Sequence, residues 1–461
     1  MNKTAKRFFF ACCLLAIALA VVAAGRTLQP ARPVTLTIWH NFSGDRQIAM
    51  DALIDEFNGT VGKEQGIIMN VTAITSSAEL EETLRMIANG DPGAPRMPDI
   101  AAAYPRTALL FQSQGLLANL DDYFTAEELT AYVPAFIEEG RFGDGGLYVF
   151  PFAKSTETLF LNRTLFDRFA AESGISIDCF ETFEGIAEAA MRYYAWTDAQ
   201  TPDIPGDGRQ FFTADSWLNL AQAGMLQLGE RFFAEETLNL ESEVYAHIWE
   251  TCYTPTVAGG FVLYDGYASN LSKTGELICS TGSSAGILFY GDAVVYPDNT
   301  TERVEYDILP FPVFAGGRRV ALQRGSGFFV AASEKERERA AVVFLKWFTA
   351  AERNVRLVGS TGYMPVTKRA FTEEMPKRLE AETDSLGRKM LATVMRMHAE
   401  YDFFVPPVSE RFDALARDYE KSYRAVLSRE RAARLAGAFA LPDRSAASLR
   451  NFIGEKRDKR R

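Results

Sequence analysis

Thr35-Leu36-Thr37-Ile38-Trp39-His40-Asn41-Phe42-Ser43 opens the stretch that decides the fold. Its first five residues are β-branched or apolar and predict a strand. Met50, Leu53, Ile54 and Phe57 then recur at i, i+3, i+4 and i+7, one face of a helix. Residues 67–74 read as a second strand. Ser76 with Glu79 forms a capping box, Leu80, Leu84 and Ile87 stripe a second helix, and Gly90 can end it. Pro98-Asp99-Ile100-Ala101-Ala102-Ala103 is a third strand. Strand–helix–strand–helix–strand implies right-handed crossovers and a mainly parallel sheet. In such a sheet ligands sit outside the carboxyl ends of the strands. Those ends carry Trp39 to Ser43, then Ser76-Ser77, then Tyr104. Aromatic faces with Asn, Ser and His suit a carbohydrate, whose C–H patches stack and whose hydroxyls pair.

Upstream of this stretch, Lys3, Lys6 and Arg7 precede an uncharged apolar run over residues 8–24, closed by Val22-Ala23-Ala24. That is the pattern of a signal peptide, with a retained N-terminal anchor as the alternative. Residues 25–33 read as a Pro-containing linker. Either reading of residues 1–24 puts the protein outside the cytoplasm.

The whole chain has 461 residues, 49 Lys+Arg against 60 Asp+Glu, and a formal net charge of −11. Its 47% apolar content argues against disorder, and its charge offers no footprint for nucleic acid. Only three histidines occur, His40, His247 and His398, too far apart for a zinc-enzyme motif. No cofactor or metal is expected. Beyond residue 24 three cysteines remain, Cys179, Cys252 and Cys279. A Cys252–Cys279 disulfide and three small buried thiols are both compatible with the sequence.

Downstream, Thr281-Gly282-Ser283-Ser284 separates two short strand candidates. Gly282-Ser283-Ser284-Ala285-Gly286 matches the G-x-S-x-G nucleophile elbow, with His398 available further on. That elbow needs a helix after the serine, and the strand-like Ile287-Leu288-Phe289-Tyr290 follows instead. A small-residue hinge fits better. Ser333 with Glu336 forms another capping box before a stripe of Ala341, Phe344, Leu345 and Phe348. The end, Glu455-Lys456-Arg457-Asp458-Lys459-Arg460-Arg461, reads as a frayed, solvated basic tail.

Several segments, in order, resemble the extracellular solute-binding proteins of ABC importers, the cluster that includes maltose-binding protein. Thr35 to His40 looks like the family's first strand, and Met97-Pro98-Asp99-Ile100 like its third. Tyr148-Val149-Phe150-Pro151-Phe152 followed by Leu159 to Phe166 is similar to its "YGLP…LYYNKDLF" crossover, and Thr182-Phe183-Glu184-Gly185-Ile186 to "TWDEF". Ala340 to Thr349, followed by Gly359-Ser360-Thr361-Gly362-Tyr363-Met364-Pro365-Val366, resembles "AAWKFLKFLT…TGYLPV".

The resemblance implies an α/β, two-lobed periplasmic-binding-protein fold with three interlobe crossovers and a helical C-terminal region. The N-terminal lobe would comprise residues 34–147 plus 284–331, and the C-terminal lobe 151–282 plus 335–461. Crossovers would fall near Val149-Phe150-Pro151, Gly282-Ser283-Ser284 and Ala332-Ser333. The implied ligand positions are His40, Asn41, Ser43, Ser77, Tyr104, Glu157, Asp215, Trp217, Tyr290, Asp292 and Tyr363. The implied function is non-enzymatic: a monomer that captures a sugar, oligosaccharide or polyol and delivers it to ABC permease subunits by hinge closure. A secreted hydrolase using Ser284 or a carboxylate pair, and a surface sensor or adhesin on the same fold, are the alternatives.

Overall fold

The computed structural model describes residues 33–458, other than 75, 235–236, 360 and 439–443. The targeting segment at residues 1–24 lies outside the described residues. The first strand, β1 (Val34–His40), buries Leu36, Ile38 and His40 in alternation. It is followed by α1 (Asp45–Gly59), which buries Met50, Leu53, Ile54 and Phe57, the i, i+3, i+4, i+7 set. Next come β2 (Ile67–Ala73) and α2 (Ser77–Asn89). Ser76 Oγ accepts the Glu79 N–H at 3.1 Å, and Gly90, at φ 69°, ends the helix. β3 (Ile100–Ala103) leads through Tyr104 into α3 (Pro105–Gln112). β1 pairs parallel with β2, Val34 opposite Ile67 through His40 opposite Ala73, and parallel with β3. The carboxyl ends of all three strands therefore lie on one edge.

The chain then passes through β4 (Phe150–Pro151) into β5 (Glu157–Asn162) of a second sheet. That sheet adds β6 (Phe212–Ala214), β7 (Cys279–Ser283) and β8 (Tyr306–Leu309), in the order β8-β5-β7-β6, and the helices α4 (Phe183–Asp198) and α5 (Trp217–Gln227) fall between β5 and β7 in the chain. β9 (Gly327–Val330) returns to the first sheet, between β3 and β4 and antiparallel to both. Every residue of β5 is buried. Leu159 and Leu161 enter a second-lobe core with Trp217, Trp249, Tyr419 and Phe452, while Phe160 faces the other way and stacks on Tyr290 at 4.1 Å.

Three segments sit in the lobe opposite to expectation. β8 lies within 284–331 yet hydrogen-bonds to β5, Ile308 opposite Phe160, so it belongs to the second sheet. The helix α6 (Lys335–Phe348) covers the first lobe: Arg337 pairs with Asp99 at 2.6 Å, and Phe344 and Trp347 pack edge-on against Phe57. The helix Ala351–Val358 that follows it sits there too, and its Arg356 pairs with Glu56 of α1 at 2.6 Å. The expected Ser333 cap is absent. Glu334 occupies that place without a side-chain bond, and Ser333 N–H donates to Glu338 Oε1 at 2.8 Å.

Two passages between lobes run side by side at the end of β7. In the first, Ser155 exchanges backbone hydrogen bonds with Arg324 of the second at 2.9 and 2.7 Å, and Thr156 C=O accepts the N–H of Ser284, just past β7, at 2.8 Å. The crossover expected at Gly282-Ser283-Ser284 does not lead to the first sheet, because β7 and β8 both pair with β5. The second passage runs instead through residues 323–326, where the chain returns to the first sheet as β9, and the third lies beyond the expected Ala332-Ser333, after the helix Ala351–Val358. Gly325 turns the second passage at φ 98°, where a Cβ would lie 2.5 Å from Ala153 O. Gly362, at φ 73°, abuts the Ser284 carbonyl so closely that a Cβ would collide with it.

The C-terminal region is helical: α7 (Ser385–Glu400), α8 (Glu410–Leu435) and α9 (Ser445–Asp458). The expected solvated tail begins as a packed helix. Phe452 of α9 stacks on Trp249 at 5.0 Å, and the buried Lys456 ammonium donates to Asp418 and, at 2.8 Å, to Ser422 Oγ. Cys179, Cys252 and Cys279 are all free thiols, so the Cys252–Cys279 pairing does not form. No helix among the described residues is long and apolar enough to cross a membrane.

Candidate functional site

The first lobe contributes the carboxyl ends of its parallel strands. Asn41, just after β1, donates its side-chain amide to Ser77 Oγ at the start of α2. Two strand ends expected to act together are thereby joined. Tyr104, after β3, is 40% exposed, yet burial pushes its phenol above the usual value. Tyr363 packs beside Phe42 with ring centroids 6.0 Å apart and carries the Arg46 guanidinium 5.6 Å from its ring centre. Arg46 also donates to Ala285 O at 2.9 Å, just past β7.

His40 is fully buried. Its Nδ1 accepts the Phe42 N–H at 3.1 Å, and burial lowers its pKa to about 4 against an opposing influence from Asp51. It shapes the turn after β1 as a neutral ring. Ser43 is exposed on the turn into α1.

The second lobe contributes a charged group at the passages. Glu157, only 2% exposed, starts β5, and its Oε1 accepts both Asn219 Nδ2 at 2.6 Å and the Arg324 guanidinium at 3.0 Å. Burial raises the Glu157 carboxyl, and Arg324 works against that rise. Asp215 Oδ1 accepts the Ala268 N–H at 2.8 Å, and its other oxygen lies against Gly282, where a Cβ would sit 2.5 Å away. Burial raises Asp215 as well, with Arg324 opposing. Arg324 and Tyr267 both act electrostatically on Tyr104, which brings first-lobe and second-lobe groups to one place. Tyr267 precedes Ala268 and is 74% exposed.

Three expected positions lie elsewhere. Trp217 is 1% exposed and stacks on Tyr423 at 5.4 Å in the second-lobe core. The cause is local: Ser216 caps the helix Trp217–Gln227, accepting Asn219 N–H at 3.2 Å, which turns the first helical residue inward. Tyr290 is buried against Phe160, and its hydroxyl bonds Ser280 Oγ at 3.0 Å. Asp292 is exposed and pairs with Arg303 at 3.4 Å. Tyr290 and Asp292 line a separate cavity of about 830 Å³ with Glu382 and Lys389. Arg324, Asn219 and Tyr267 were missed. The signals for the first and last were Arg324-Gly325-Ser326-Gly327, a charge in a glycine turn before a strand, and the aromatic turn Tyr264-Asp265-Gly266-Tyr267.

The elements of a serine hydrolase do not assemble. Ser284 is buried with its Oγ accepting Thr156 N–H at 3.4 Å, while the His398 ring stacks on Phe371 at 3.6 Å. Among the described residues no group of His, Cys, Asp and Glu could hold a metal ion.

Residues 52–383 match the family model described as bacterial extracellular solute-binding protein. No curated protein matches the chain. Solved structures similar to this one include a cyclic α-maltosyl-1,6-maltose binding protein from Arthrobacter globiformis, at 18% identity, TM-score 0.68, and coverage of 91% of this chain and 98% of that one. UgpB from Mycobacterium tuberculosis in complex with glycerophosphocholine gives 17%, 0.67, 92% and 98%. The ABC substrate-binding protein Lmo0181 from Listeria monocytogenes in complex with cycloalternan gives 16%, 0.65, 92% and 99%. At these identities the likeness establishes a shared two-lobed fold.

Proposed function

The chain belongs to the bacterial extracellular solute-binding proteins, acts outside the cytoplasm and is a carrier, not an enzyme; from that premise we propose that it captures a carbohydrate or related polyol between its lobes. One observation carries this reading. Tyr104 of the first lobe and Tyr267 of the second, both exposed, interact electrostatically, Tyr104 also with Arg324, while Asn41 and Ser77 are joined at the neighbouring strand ends and Asp215 holds the residue after Tyr267. Rings of this kind cover the C–H faces of a sugar, and amide, hydroxyl, carboxylate and guanidinium groups pair with its hydroxyls. Two of the similar structures are named for, or solved with, cyclic oligosaccharides, and a third holds a glycerol phosphodiester. Asn41, Ser77, Tyr104, Asp215 and Tyr363 are the proposed ligand contacts from the sequence, with Glu157 holding Arg324 from behind.

Delivery to the membrane subunits of an ABC permease follows from the same reading, since one similar structure is an ABC substrate-binding protein. The protein would work as a monomer, in the periplasm or tethered to the outer face of the cytoplasmic membrane. Opening and closing about the three passages gives one covered and one open state. A thermal-shift panel of linear and cyclic α-glucans, glycerol phosphodiesters and amino acids tests the ligand class. A true ligand at 100 times its dissociation constant adds about 2.7 kcal/mol. A shift with amino acids and none with glucans or polyols would overturn the carbohydrate reading.

A further inference from the structure

Beside the candidate site, Arg106 holds two carboxylates of different lobes with different arms of its guanidinium. One terminal nitrogen reaches Asp413 Oδ2 at 2.9 Å, and the other lies 3.5 Å from Glu81 Oε2. Arg106 stands in the first turn of α3, two residues after Tyr104, and Glu81 lies on α2, the helix that starts at Ser77. Both belong to the first lobe. Asp413 is in the first turn of α8, fixed by the Ser409 cap, which accepts Phe412 N–H at 3.1 Å. That helix is anchored in the second-lobe core by Phe412, Tyr419 and Tyr423. The Arg106–Asp413 pair therefore spans the opening between lobes, next to the proposed ligand groups.

We propose that Arg106 is an exchange latch: with the lobes together it is shared by Asp413 and Glu81, and with the lobes apart it is held by Glu81 alone. This inference rests on the solute-binding reading and adds a device to it. Opening then leaves no guanidinium unpaired, so the latch biases the equilibrium without locking it. Closing brings Glu81 toward Asp413, and the Glu81 carboxyl is raised by burial and by that neighbour while Arg106 opposes the rise. The two carboxylates thus act in opposite directions. Asp413 draws the lobes together, and Glu81 competes for the same cation and repels Asp413.

The test needs no ligand. Spin labels at Glu127→Cys in the first lobe and Gln200→Cys in the second, on a Cys179→Ser background, report the interlobe distance distribution of the purified protein. Exposed ion pairs of this kind support shifts of about two- to five-fold in population. Asp413→Asn is expected to move the distribution toward longer distances by that factor. Glu81→Gln is expected to move it toward shorter distances, although both remove one negative charge. The charge swap Arg106→Asp with Asp413→Arg should move the distribution toward shorter distances than wild type, since Glu81 then attracts the relocated cation across the opening, and 1 M salt should mimic Asp413→Asn. Shifts in the same direction for both single variants, or no shift in either, would overturn the latch. Neither outcome touches the carbohydrate proposal, which stands or falls on the ligand panel.

Discussion

The two lobes meet the proposed ligand site by different means. In the first, β1, β2 and β3 run parallel and in near-consecutive order, so each strand ends at the site and the next residues in sequence become candidates: Asn41, Ser77, Tyr104. In the second, the strands come from residues 157, 212, 279 and 306 onward, and the site is built where passages cross: Glu157, Asp215 and Arg324. The first lobe positions polar groups by strand register. The second positions them by buried hydrogen bonds between distant segments, so substitutions there strike fold and site together.

The sharpest way to break the comparison is Trp217→Ala. As a core residue stacked on Tyr423, it should cost about 3–5 kcal/mol in chemical denaturation. A loss of ligand affinity with stability unchanged would put Trp217 back at the site. Next is Arg324→Met, which strands the buried Glu157 carboxylate and should cost about 2–4 kcal/mol, with Glu157→Gln in the same chain recovering most of it. Two additive losses would show that the pair does not act as a unit. Gly362→Ala, at φ 73° and against the Ser284 carbonyl, should cost about 2–3 kcal/mol through strain at the passages. A change under about 0.5 kcal/mol would mean that the backbone after β7 yields to an added methyl.

The first lobe offers a pH test. His40 has its folded pKa depressed to about 4 by burial, below an unfolded value near 6.5. Its contribution is fully present above about pH 6.5 and is lost as pH falls toward 4, roughly 3 kcal/mol in all. His40→Asn, which keeps an acceptor for Phe42 N–H, should flatten the stability profile in that window. Glu157 behaves oppositely: burial raises its carboxyl, so its contribution is present at low pH and lost as pH rises through the folded value. If His40→Asn leaves the slope unchanged between pH 4 and 6.5, the ring is not held neutral in the native state.

What could be read in advance follows the same division. The helical stripe of α1, the Ser76 cap, Gly90 and the strand ends were legible because a parallel unit writes its periodicity locally. β5 was recognised only through a family pattern, since a strand buried on both faces shows no alternation. β8 and α6 were assigned to the opposite lobes because pairing with Phe160 and packing on Phe57 join residues far apart in sequence. Trp217 misled because its helix cap, not its residue type, decides which way it points. Arg324 was missed because its partner, Glu157, stands on a different passage.

The most direct test of the central claim is calorimetric titration of the best panel glucan into the protein and into Tyr104→Ala, Tyr267→Ala and Asp215→Ala. Saturable one-to-one binding is expected. Each substitution should weaken it at least about ten-fold, equivalent to about 1.4 kcal/mol, while the unfolding midpoint in the absence of ligand stays nearly constant for the two tyrosines. Full affinity in all three variants would contradict the interlobe site.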